Sequence, residues 1–358
     1  MLQALAQGPL DIIGDVHGEA DALDQLLARL GYDALGRHAQ RRRLVFVGDL
    51  CDRGPDTPRV FARVRGIVEA GNGQLVLGNH ELNLLRGERK DGNDWFWRQD
   101  AERDRKYEPY VRLPGDQRQA LLRFLMQQPF ALERPDLRVV HAAWHAPSIQ
   151  ALRQLPTPAP QLHALFDHWE ATTERQLADG GQFAASQAER SSWAAALANP
   201  RSSVPLLPGV ARYEVGRQMG NPLRVLTSGL EQPGKTTFFA GGQWRFVERV
   251  AWWDHYQEPV PVVVGHFWRR VQYPASSPHA KAEPQLFAGI APEAWHGAHG
   301  NVFCVDFSAG GRFHERRHGQ PVGHTTPLTA LRWPERTLMF DHGGELPTSG
   351  FGRPVAPA

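Results

Sequence analysis

Six side chains that could bind metal ions follow short apolar runs at five places in the sequence. In chain order they are Asp15, His17, Asp49, Asn79, His141 and His266. Three imidazoles, two carboxylates and one amide suit borderline divalent ions such as Mn, Fe, Zn or Ni better than an all-oxygen site for Mg or Ca. Six protein ligands are too many for one catalytic metal with open positions. They suit two metals about 4 Å apart that share one bridging carboxylate, the arrangement that assists phosphoryl transfer.

The apolar runs before these residues predict the strands that must position them. They are nearly continuous in Val, Ile and Leu, as in strands buried on both faces. Between the first three runs, apolar residues recur at helical spacing over residues 23–30 and 57–70, and Pro58 suits a first helical turn. Alternating strands and helices predict βαβ units in an α/β fold. Ligands gather at the carboxyl ends of such strands, so we expect all five polar endings along one sheet edge.

Further runs extend this organisation toward the C-terminus. A third helix is predicted over residues 117–128, ending before Pro129. Strand-like runs return as LRVLTSG (223–229), QWRFVERVAWW (243–253), NVFCVDFSAG (301–310) and RTLMFDH (336–342). We expect these runs to form a second sheet.

The domain organisation is predicted to be simple. Residues 1–345 are expected to form one domain with insertions at about 86–115 and 150–210. The second insertion is rich in Ala, Gln, Pro and Ser and is expected to be a mostly helical cap. Residues 346–358 are rich in Gly and Pro and are predicted to be a flexible tail.

The amino-acid composition limits the kinds of partner that the protein is expected to bind. The 358 residues carry a formal net charge of +2, which gives no strong bias toward a nucleic acid polymer or an anionic membrane. The two cysteines, Cys51 and Cys304, allow neither a disulfide framework nor a cysteine-based zinc site. No apolar run reaches the roughly 20 residues that cross a bilayer, and the N-terminus lacks signal-peptide features. We therefore expect a cytoplasmic protein that binds neither nucleic acid polymers nor membranes.

One motif suggests a different chemistry. Residues 229–236 read GLEQPGKT, which fits the pattern of a nucleotide-binding P-loop. A true P-loop opens directly into a long helix, whereas the sequence TTFFAGGQW that follows favours β-structure. We therefore predict that this segment is not a P-loop.

Three short blocks carry a family resemblance. GDVHG (14–18), GDLCDRG (48–54) and GNHE (78–81) match, in order and spacing, the signature blocks of the phosphoprotein phosphatase-type calcineurin-like metallophosphoesterases. The runs that end at His141 and His266 resemble the two later metal histidines of that family, and the C-terminal half looks like its bacterial members. The resemblance implies an αββα sandwich of two mixed sheets flanked by helices, with a helical insertion or cap.

The resemblance also implies how the six ligands are shared. Asp15 and His17 would hold the first metal and Asp49 would bridge. Asn79, His141 and His266 would hold the second metal. The cofactors would be two divalent transition-metal ions, with manganese favoured and iron, zinc or nickel as alternatives.

The remaining roles carried over from the family concern catalysis. His80 would be the general acid, Asp52 would orient it, and Arg53 would clamp phosphate oxygens together with Asn79. The nucleophile would be a hydroxide bridging the metals. A further phosphate-binding arginine is usual in the family, and the candidates here are Arg212, Arg217 and Arg224.

Three functions follow from these residues. The first is hydrolysis of phosphate monoesters, with phosphoserine or phosphothreonine proteins or small phosphoesters as substrates. The second is hydrolysis of dinucleoside polyphosphates such as diadenosine tetraphosphate, for which Trp95, Phe96 and Trp97 could stack a base if they are not packing residues. The third belongs to another class, a non-catalytic regulatory protein on a phosphatase fold, and the intact ligand set argues against it.

Overall fold

The computed structural model describes residues 1–99, 101–240, 242–271 and 286–353. Its strands are β1 (Leu2–Ala4), β2 (Leu10–Ile13), β3 (Arg43–Phe46), β4 (Gly73–Leu75), β5 (Ala131–Arg134), β6 (Leu137–Val140), β7 (Glu231–Ala240), β8 (Gln243–Arg249), β9 (Val262–Val264), β10 (Val302–Cys304), β11 (Thr329–Trp333), β12 (Thr337–Phe340) and β13 (Glu345–Pro347).

The helices that the structure describes vary from one turn to five turns. They are α1 (Ala20–Leu30), α2 (Thr57–Glu69), α3 (Asn79–Leu85), α4 (Asp94–Trp97), α5 (Ala101–Asp104), α6 (Arg118–Met126), α7 (Ala146–Arg153), α8 (Leu162–Asp179), α9 (Gln182–Ser192), α10 (Ala194–Leu197), α11 (Pro208–Met219), α12 (Pro222–Ser228) and α13 (Arg312–Arg317). Short 3-10 segments lie at Arg105–Tyr107, Gly115–Gln117, Trp252–His255 and Ala309–Gly311.

The chain divides into two compact units. Among the described residues, the first comprises those within 1–144, 253–271 and 290–353, and the second consists mainly of those within 145–252. The expectation of a single domain over residues 1–345 stays a prediction.

The first unit contains two mixed sheets. One has the strand order β1-β5-β6-β9-β10 and the other has the order β13-β12-β11-β2-β3-β4. β2, β3 and β4 pair in parallel, as the predicted βαβ units require, whereas β11 joins β2 in antiparallel fashion. Apolar side chains of both sheets share one buried core, including Ile12 and Val45 from one sheet and Val139 and Val263 from the other. Two mixed sheets flanked by helices confirm the predicted α/β sandwich.

The first two helices follow the sequence pattern closely. α1 buries Leu23, Leu26, Leu27 and Leu30, the four leucines at helical spacing. α2 begins after Asp56, whose carboxylate accepts a hydrogen bond from the Arg59 N–H and so caps the helix. Each helix therefore packs an apolar face and delivers the chain to the start of the next parallel strand.

Two expectations about strands were wrong. The five polar endings do not share one sheet edge, because β2, β3 and β4 belong to one sheet and β6 and β9 to the other. The late runs do not form a separate second sheet either, since β10 pairs with β9 and β12 pairs with β11. A run of apolar residues shows where a strand lies, but its partner is chosen by contacts that are distant in sequence.

The run LRVLTSG was also misassigned. Residues 222–228 form the helix α12, which begins after Asn221, and the Asn221 side chain accepts a hydrogen bond from the Leu223 N–H. Pro222 fits the first turn of this helix. The cap and the proline outweighed the β-propensity of the short apolar run.

Part of the C-terminal segment has regular structure and packs within the first unit. The tail that was predicted to be flexible from residue 346 begins inside β13, which pairs with β12. Phe351 packs against the hydrophobic core of the two sheets. Structure therefore continues beyond residue 345.

The second unit is mostly helical and carries one hairpin. α8, α9 and α10 lie within residues 150–210, as expected for the helical insertion. β7 and β8 form an antiparallel hairpin, and Phe246 of β8 joins a small core with Val204, Leu207 and Val210. Because the GLEQPGKT segment runs into β7 and not into a helix, it lacks the geometry of a P-loop. Across the described ranges, no helix is both long and apolar enough to span a membrane.

Candidate metal centre

The ends of five strands deliver the predicted ligands to one place in the first unit. Asp15 and His17 follow β2, Asp49 follows β3, Asn79 begins α3 after β4, His141 follows β6 and His266 follows β9. Asp15, His17, Asp49, His141 and His266 are all buried. The two sheets thus contribute to one polar cluster at the edge of a hydrophobic core.

Asp49 lies at the centre of this cluster. Its Oδ2 atom is 3.4 Å from His141 Nε2, 3.9 Å from His17 Nε2 and 3.8 Å from His80 Nε2. Asp49 forms one potential metal-binding group with His17 and His80 and another with His141 and His266, and the ligand atoms of each group lie within 4.8 Å of one another. One carboxylate common to two groups is the arrangement that a bridging ligand requires.

The other two predicted ligands lie beside this carboxylate. The Asn79 Oδ1 atom is 3.3 Å from His141 Nε2 and 3.0 Å from His266 Nδ1. The Asp15 carboxylate accepts the backbone N–H of His266 at 3.1 and 3.2 Å. Asp15 therefore contacts the loop that carries a ligand from the opposite sheet.

Two histidines are held in the orientation that a metal ligand needs. The Nδ1 atom of His17 is 2.9 Å from the carbonyl oxygen of Cys51, and the Nδ1 atom of His141 is 2.7 Å from that of Val47. A carbonyl oxygen can only accept, so each Nδ1 carries a proton, and Nε2 is the ring atom that is left to coordinate a metal ion. The donor set fits divalent transition-metal ions.

The electrostatics of the cluster also suit bound cations. Burial, together with the nearby carboxylates of Asp306 and Asp49, raises the pKa of Asp15 well above its usual value. Burial, together with the charges of Arg53 and His80, lowers the pKa of His17 well below its usual value, which keeps the imidazole in the neutral form that binds metal. Divalent cations would offset the repulsion among the buried carboxylates.

The backbone is strained where the ligands are. Of the nine non-glycine residues with positive φ in the described ranges, five belong to this site: His17, Asp49, Asp52, Arg53 and His266. Such conformations persist only where the surrounding structure holds them. Gly265 contributes to that fit, because a Cβ atom there would lie 2.1 Å from Asp15 Oδ1.

His80, Asp52 and Arg53 form a second set of polar contacts beside Asp49. His80 Nδ1 is 2.5 Å from Asp52 Oδ2, while Arg53 lies 3.4 Å from His80 Nε2 and 3.5 Å from His17 Nε2. Burial favours the neutral form of His80, but the charges of Asp49 and Asp52 outweigh it and raise the pKa of His80. The arrangement can hold a protonated imidazole with its Nε2–H toward the cluster.

Glu81 was not singled out in the sequence, yet it fixes the central loop. Its buried carboxylate accepts the backbone N–H groups of Asp49 and Leu50, each at 2.8 Å, and that of Gly78 at 3.0 Å. It occupies the third position of α3, where an acidic residue commonly reaches back to the helix start. That helix-start signal could have identified it.

Asp306 and Trp268 were also missed. Asp306 is buried after β10, its Oδ1 atom accepts the Ser308 N–H at 2.7 Å, and burial raises the pKa of the carboxyl to about 7. It follows an apolar run in the same way as the predicted ligands, so the same signal could have found it. Trp268 is 37% exposed, and the Arg53 guanidinium lies over its ring at 5.1 Å.

Other predicted candidates have structural contacts. Trp95 and Phe96 are 2% and 1% exposed, so they pack inside the first unit and are not open to stack a base, and the Trp97 ring packs edge to face against Phe96 with centroids 4.8 Å apart. Arg217 and Arg224 lie in the second unit, where both pair with Glu170. These ion pairs already occupy two of the three candidate phosphate-binding arginines.

A family model matches the part of the chain that carries the motifs. Residues 8–169 match the family model described as calcineurin-like phosphoesterase. That range contains all three signature blocks and His141. Residues 8–169 are therefore similar to a calcineurin-like phosphoesterase domain, in agreement with the resemblance of the motifs.

Particular relatives cover shorter stretches. An asymmetrical bis(5'-nucleosyl)-tetraphosphatase, PrpE, of Oceanobacillus iheyensis is 42% identical over 80 residues, which are 22% of this chain and 32% of that protein. A symmetrical bis(5'-nucleosyl)-tetraphosphatase of Janthinobacterium sp. is 35% identical over 147 residues, 39% of this chain and 47% of that protein. The chain thus spans about a third to a half of the length of the curated relatives it matches.

A solved structure extends over more of the chain at lower identity. The cold-active protein-tyrosine phosphatase of a psychrophilic Shewanella species matches with a TM-score of 0.48 and 14% identity, covering 96% of this chain and 81% of that one.

Proposed function

We propose that the chain is a metal-dependent phosphoesterase that hydrolyses dinucleoside polyphosphates. The observation that carries the proposal is the Asp49 carboxylate, which two groups of potential ligands share beside His80 and Arg53. Asp15, His17 and Asp49 would hold one divalent transition-metal ion. Asp49, Asn79, His141 and His266 would hold the other. Such ions, when bound, polarise phosphoryl oxygens and lower the pKa of a coordinated water.

Arg53 would bind and orient the phosphate. Its guanidinium lies between the Nε2 atoms of His17 and His80, at 3.5 and 3.4 Å, so it faces the polar cluster. The planar guanidinium can donate two parallel hydrogen bonds to phosphate oxygens. It would also offset the negative charge that develops on the phosphoryl group during transfer.

His80 would protonate the leaving oxygen. With its pKa raised by Asp49 and Asp52, the imidazolium persists to higher pH than an ordinary histidine despite burial. Asp52 holds the Nδ1–H and leaves the Nε2–H to be donated. In a polyphosphate the leaving group is a nucleotide phosphate, and in a monoester it is an alkoxide or phenoxide, which needs the proton more.

The choice of dinucleoside polyphosphates is supported by two observations. Both relatives named above are bis(5'-nucleosyl)-tetraphosphatases. In addition, Trp268 offers a partly exposed aromatic ring next to Arg53, where a base or ribose could lie against it.

A side-by-side turnover screen tests the proposal. Purified protein reconstituted with manganese would be given diadenosine tetraphosphate, a phosphoserine peptide and p-nitrophenyl phosphate, with products identified by chromatography. We expect the highest kcat/KM for diadenosine tetraphosphate. Two molecules of ADP would indicate symmetrical cleavage, and ATP with AMP would indicate asymmetrical cleavage.

Variants separate the site from background activity. Asp49→Asn should abolish turnover, whereas Asp116→Asn, which changes an exposed aspartate, should leave it unchanged. A preference for the phosphopeptide would replace the proposed substrate by phosphoproteins. A protein that loads metal but hydrolyses none of the three would instead support the non-catalytic regulatory role.

A further inference from the structure

An indole N–H reaches the aspartate that orients His80. Trp95 lies in α4, within the segment predicted as an insertion at residues 86–115, and its Nε1–H donates to Asp52 Oδ1 at 2.6 Å. We infer that Trp95 is a positioning residue for the general acid His80 and that it acts through Asp52. The inference rests on the proposed function, because it assigns Trp95 a part in proton delivery by His80.

The geometry forms a continuous chain of hydrogen bonds. Asp52 is fully buried, and its two carboxylate oxygens have different partners, Oδ1 the Trp95 indole and Oδ2 the His80 Nδ1–H. A carboxylate held at both oxygens cannot rotate about its Cβ–Cγ bond without breaking one of these bonds. The plane of the carboxylate, and with it the direction of the His80 ring, is therefore fixed by Trp95.

Trp95 is itself held firmly. Its side chain is 2% exposed. Its ring packs against Phe61 on α2 and against Phe96, with ring centroids 5.9 and 5.5 Å apart. Its carbonyl oxygen accepts the Leu113 N–H at 2.9 Å. These contacts leave the indole little freedom, so it can serve as a fixed reference for the carboxylate.

The backbone of the same segment is tied to the same loop. The Arg53 N–H donates to the carbonyl oxygen of Gly92 at 3.3 Å. The buried carboxylate of Asp104 accepts the N–H groups of Gly92 at 2.9 Å and of Asp94 at 2.6 Å, which holds the turn between them. The segment thus contacts the Asp52–Arg53 loop through both a side chain and the main chain.

The loss of the indole N–H should affect one step of the reaction selectively. A buried carboxylate oxygen without a donor is costly, so Asp52 would turn toward another donor and His80 would lose its orientation. Protonation of a poor leaving group depends on that orientation, whereas phosphate binding by Arg53 does not. A positioning role therefore predicts a fall in kcat with little change in KM, and a larger fall for poorer leaving groups.

The chain offers a matched control on the same helix. Trp95→Phe keeps an aromatic ring and removes the N–H. Trp97→Phe makes the same change at a half-buried tryptophan whose Nε1–H has no hydrogen-bond partner among the residues that the structure describes. If Trp95 acted only through the packing of its ring, both variants would keep the kcat of the wild-type protein and would differ only in the free energy of unfolding.

The test uses full-length protein reconstituted with manganese and two esters of one nucleotide, with a nitrophenol and a phenol as leaving group. We expect Trp95→Phe to lower kcat about tenfold for the phenyl ester, in line with a hydrogen bond to a charged group, and much less for the nitrophenyl ester. KM should change less than twofold for either ester. Trp97→Phe should behave as wild type.

A second readout does not depend on turnover. In the proton NMR spectrum of the metal-free protein, the His80 Nδ1–H resonance, identified by its loss in His80→Gln, should lie far downfield. It should shift or broaden in Trp95→Phe and stay in place in Trp97→Phe. An unchanged resonance in Trp95→Phe, or equal losses of kcat for both esters, would overturn the inference. If the wild-type protein hydrolyses no phosphoester at all, the proposed function fails, and the NMR result alone reports on the Trp95–Asp52–His80 contact.

Discussion

His17 and His80 show how one small volume can hold two imidazoles with opposite tasks. Their ring centroids are 4.8 Å apart. Burial and nearby positive charge lower the pKa of His17, whereas Asp49 and Asp52 raise that of His80 against the effect of burial. Groups whose environments push their pKa values apart are suited to different roles. Here the neutral ring fits a metal ligand and the protonated ring fits a general acid.

Replacement of His80 tests the second role. His80→Gln should lower kcat by roughly 10²–10⁴-fold for a poor leaving group, the range for the loss of a general acid. The loss should be smaller for a nitrophenyl ester, since nitrophenolate leaves without a proton. Steady-state kinetics with both esters would check this.

The control for His80 is His38, which lies outside the cluster and contacts the carbonyl oxygen of Leu30 through its Nε2. His38→Gln should leave the leaving-group dependence unchanged. Equal losses for good and poor leaving groups in His80→Gln would remove His80 from the acid role and leave it as a ligand of the group it forms with His17 and Asp49.

At the scale of elements, helices of the second unit are joined by one carboxylate. Glu170 of α8 accepts hydrogen bonds from Arg224 at 2.8 and 2.9 Å, from Arg217 at 3.2 Å and from Asn221 at 3.1 Å. Burial opposes ionisation, yet the bonds from Arg224 outweigh it and lower the pKa of Glu170 to about 2. Glu170 thus ties α8 to α11 and α12.

The stabilisation by Glu170 should depend on pH with a definite sign. Because the folded state holds the pKa below the ordinary 4.5, the contribution is present above pH 4.5 and is lost as pH falls toward 2. Glu170→Gln should lower the free energy of unfolding by about 1–3 kcal/mol at pH 7 and by less at pH 3. Chemical denaturation at both pH values would measure this, with Asp167→Asn, an exposed change on the same helix, as the control. A loss of equal size at both pH values would contradict the assignment.

Elements also show why some local signals failed. The leucine spacing of α1 was sufficient to predict the helix, because the four buried leucines form one continuous apolar face within a single short segment of the chain. The run at residues 223–229 is too short to distinguish the periodicity of a helix from that of a strand. The N-cap formed by Asn221 favours the helix that the structure shows. Short apolar runs remain ambiguous between strand and helix until capping contacts are considered.

For the whole molecule, the metal centre should couple the two sheets. Asp15 and Asp49 come from one sheet, while His141 and His266 come from the other. Ions held by ligands from both would bind the folded state and not the unfolded one, and such binding raises stability by mass action.

Removal of metal should therefore lower the thermal midpoint. We expect about two transition-metal ions per reconstituted chain, measured by elemental analysis, and a fall in Tm of several degrees after chelation. Asp49→Asn should bind less metal and show a smaller shift on chelation. Asp116→Asn should match wild type. A wild-type metal content no higher than that of Asp49→Asn would contradict the dinuclear centre.

The sequence by itself determined which residue types follow the strands that meet at the candidate site. The three blocks around Asp15, Asp49 and His80 are local patterns, and each ligand follows its own strand because the apolar run and the polar ending are neighbours in the chain. That locality is also why the α/β class and the similarity to calcineurin-like phosphoesterases could be predicted, and why local signals at a helix start and at a strand end could have found Glu81 and Asp306.

Only the tertiary structure decided which sheet each ligand comes from and which residues support it. β6 pairs with β9 across more than a hundred residues, and Trp95 reaches Asp52 from a segment that no periodicity connects to it. Such contacts depend on the packing of distant segments and on the direction of single side chains. Neither is encoded in a local pattern, so the support of His80 by Trp95 became visible only in the folded chain.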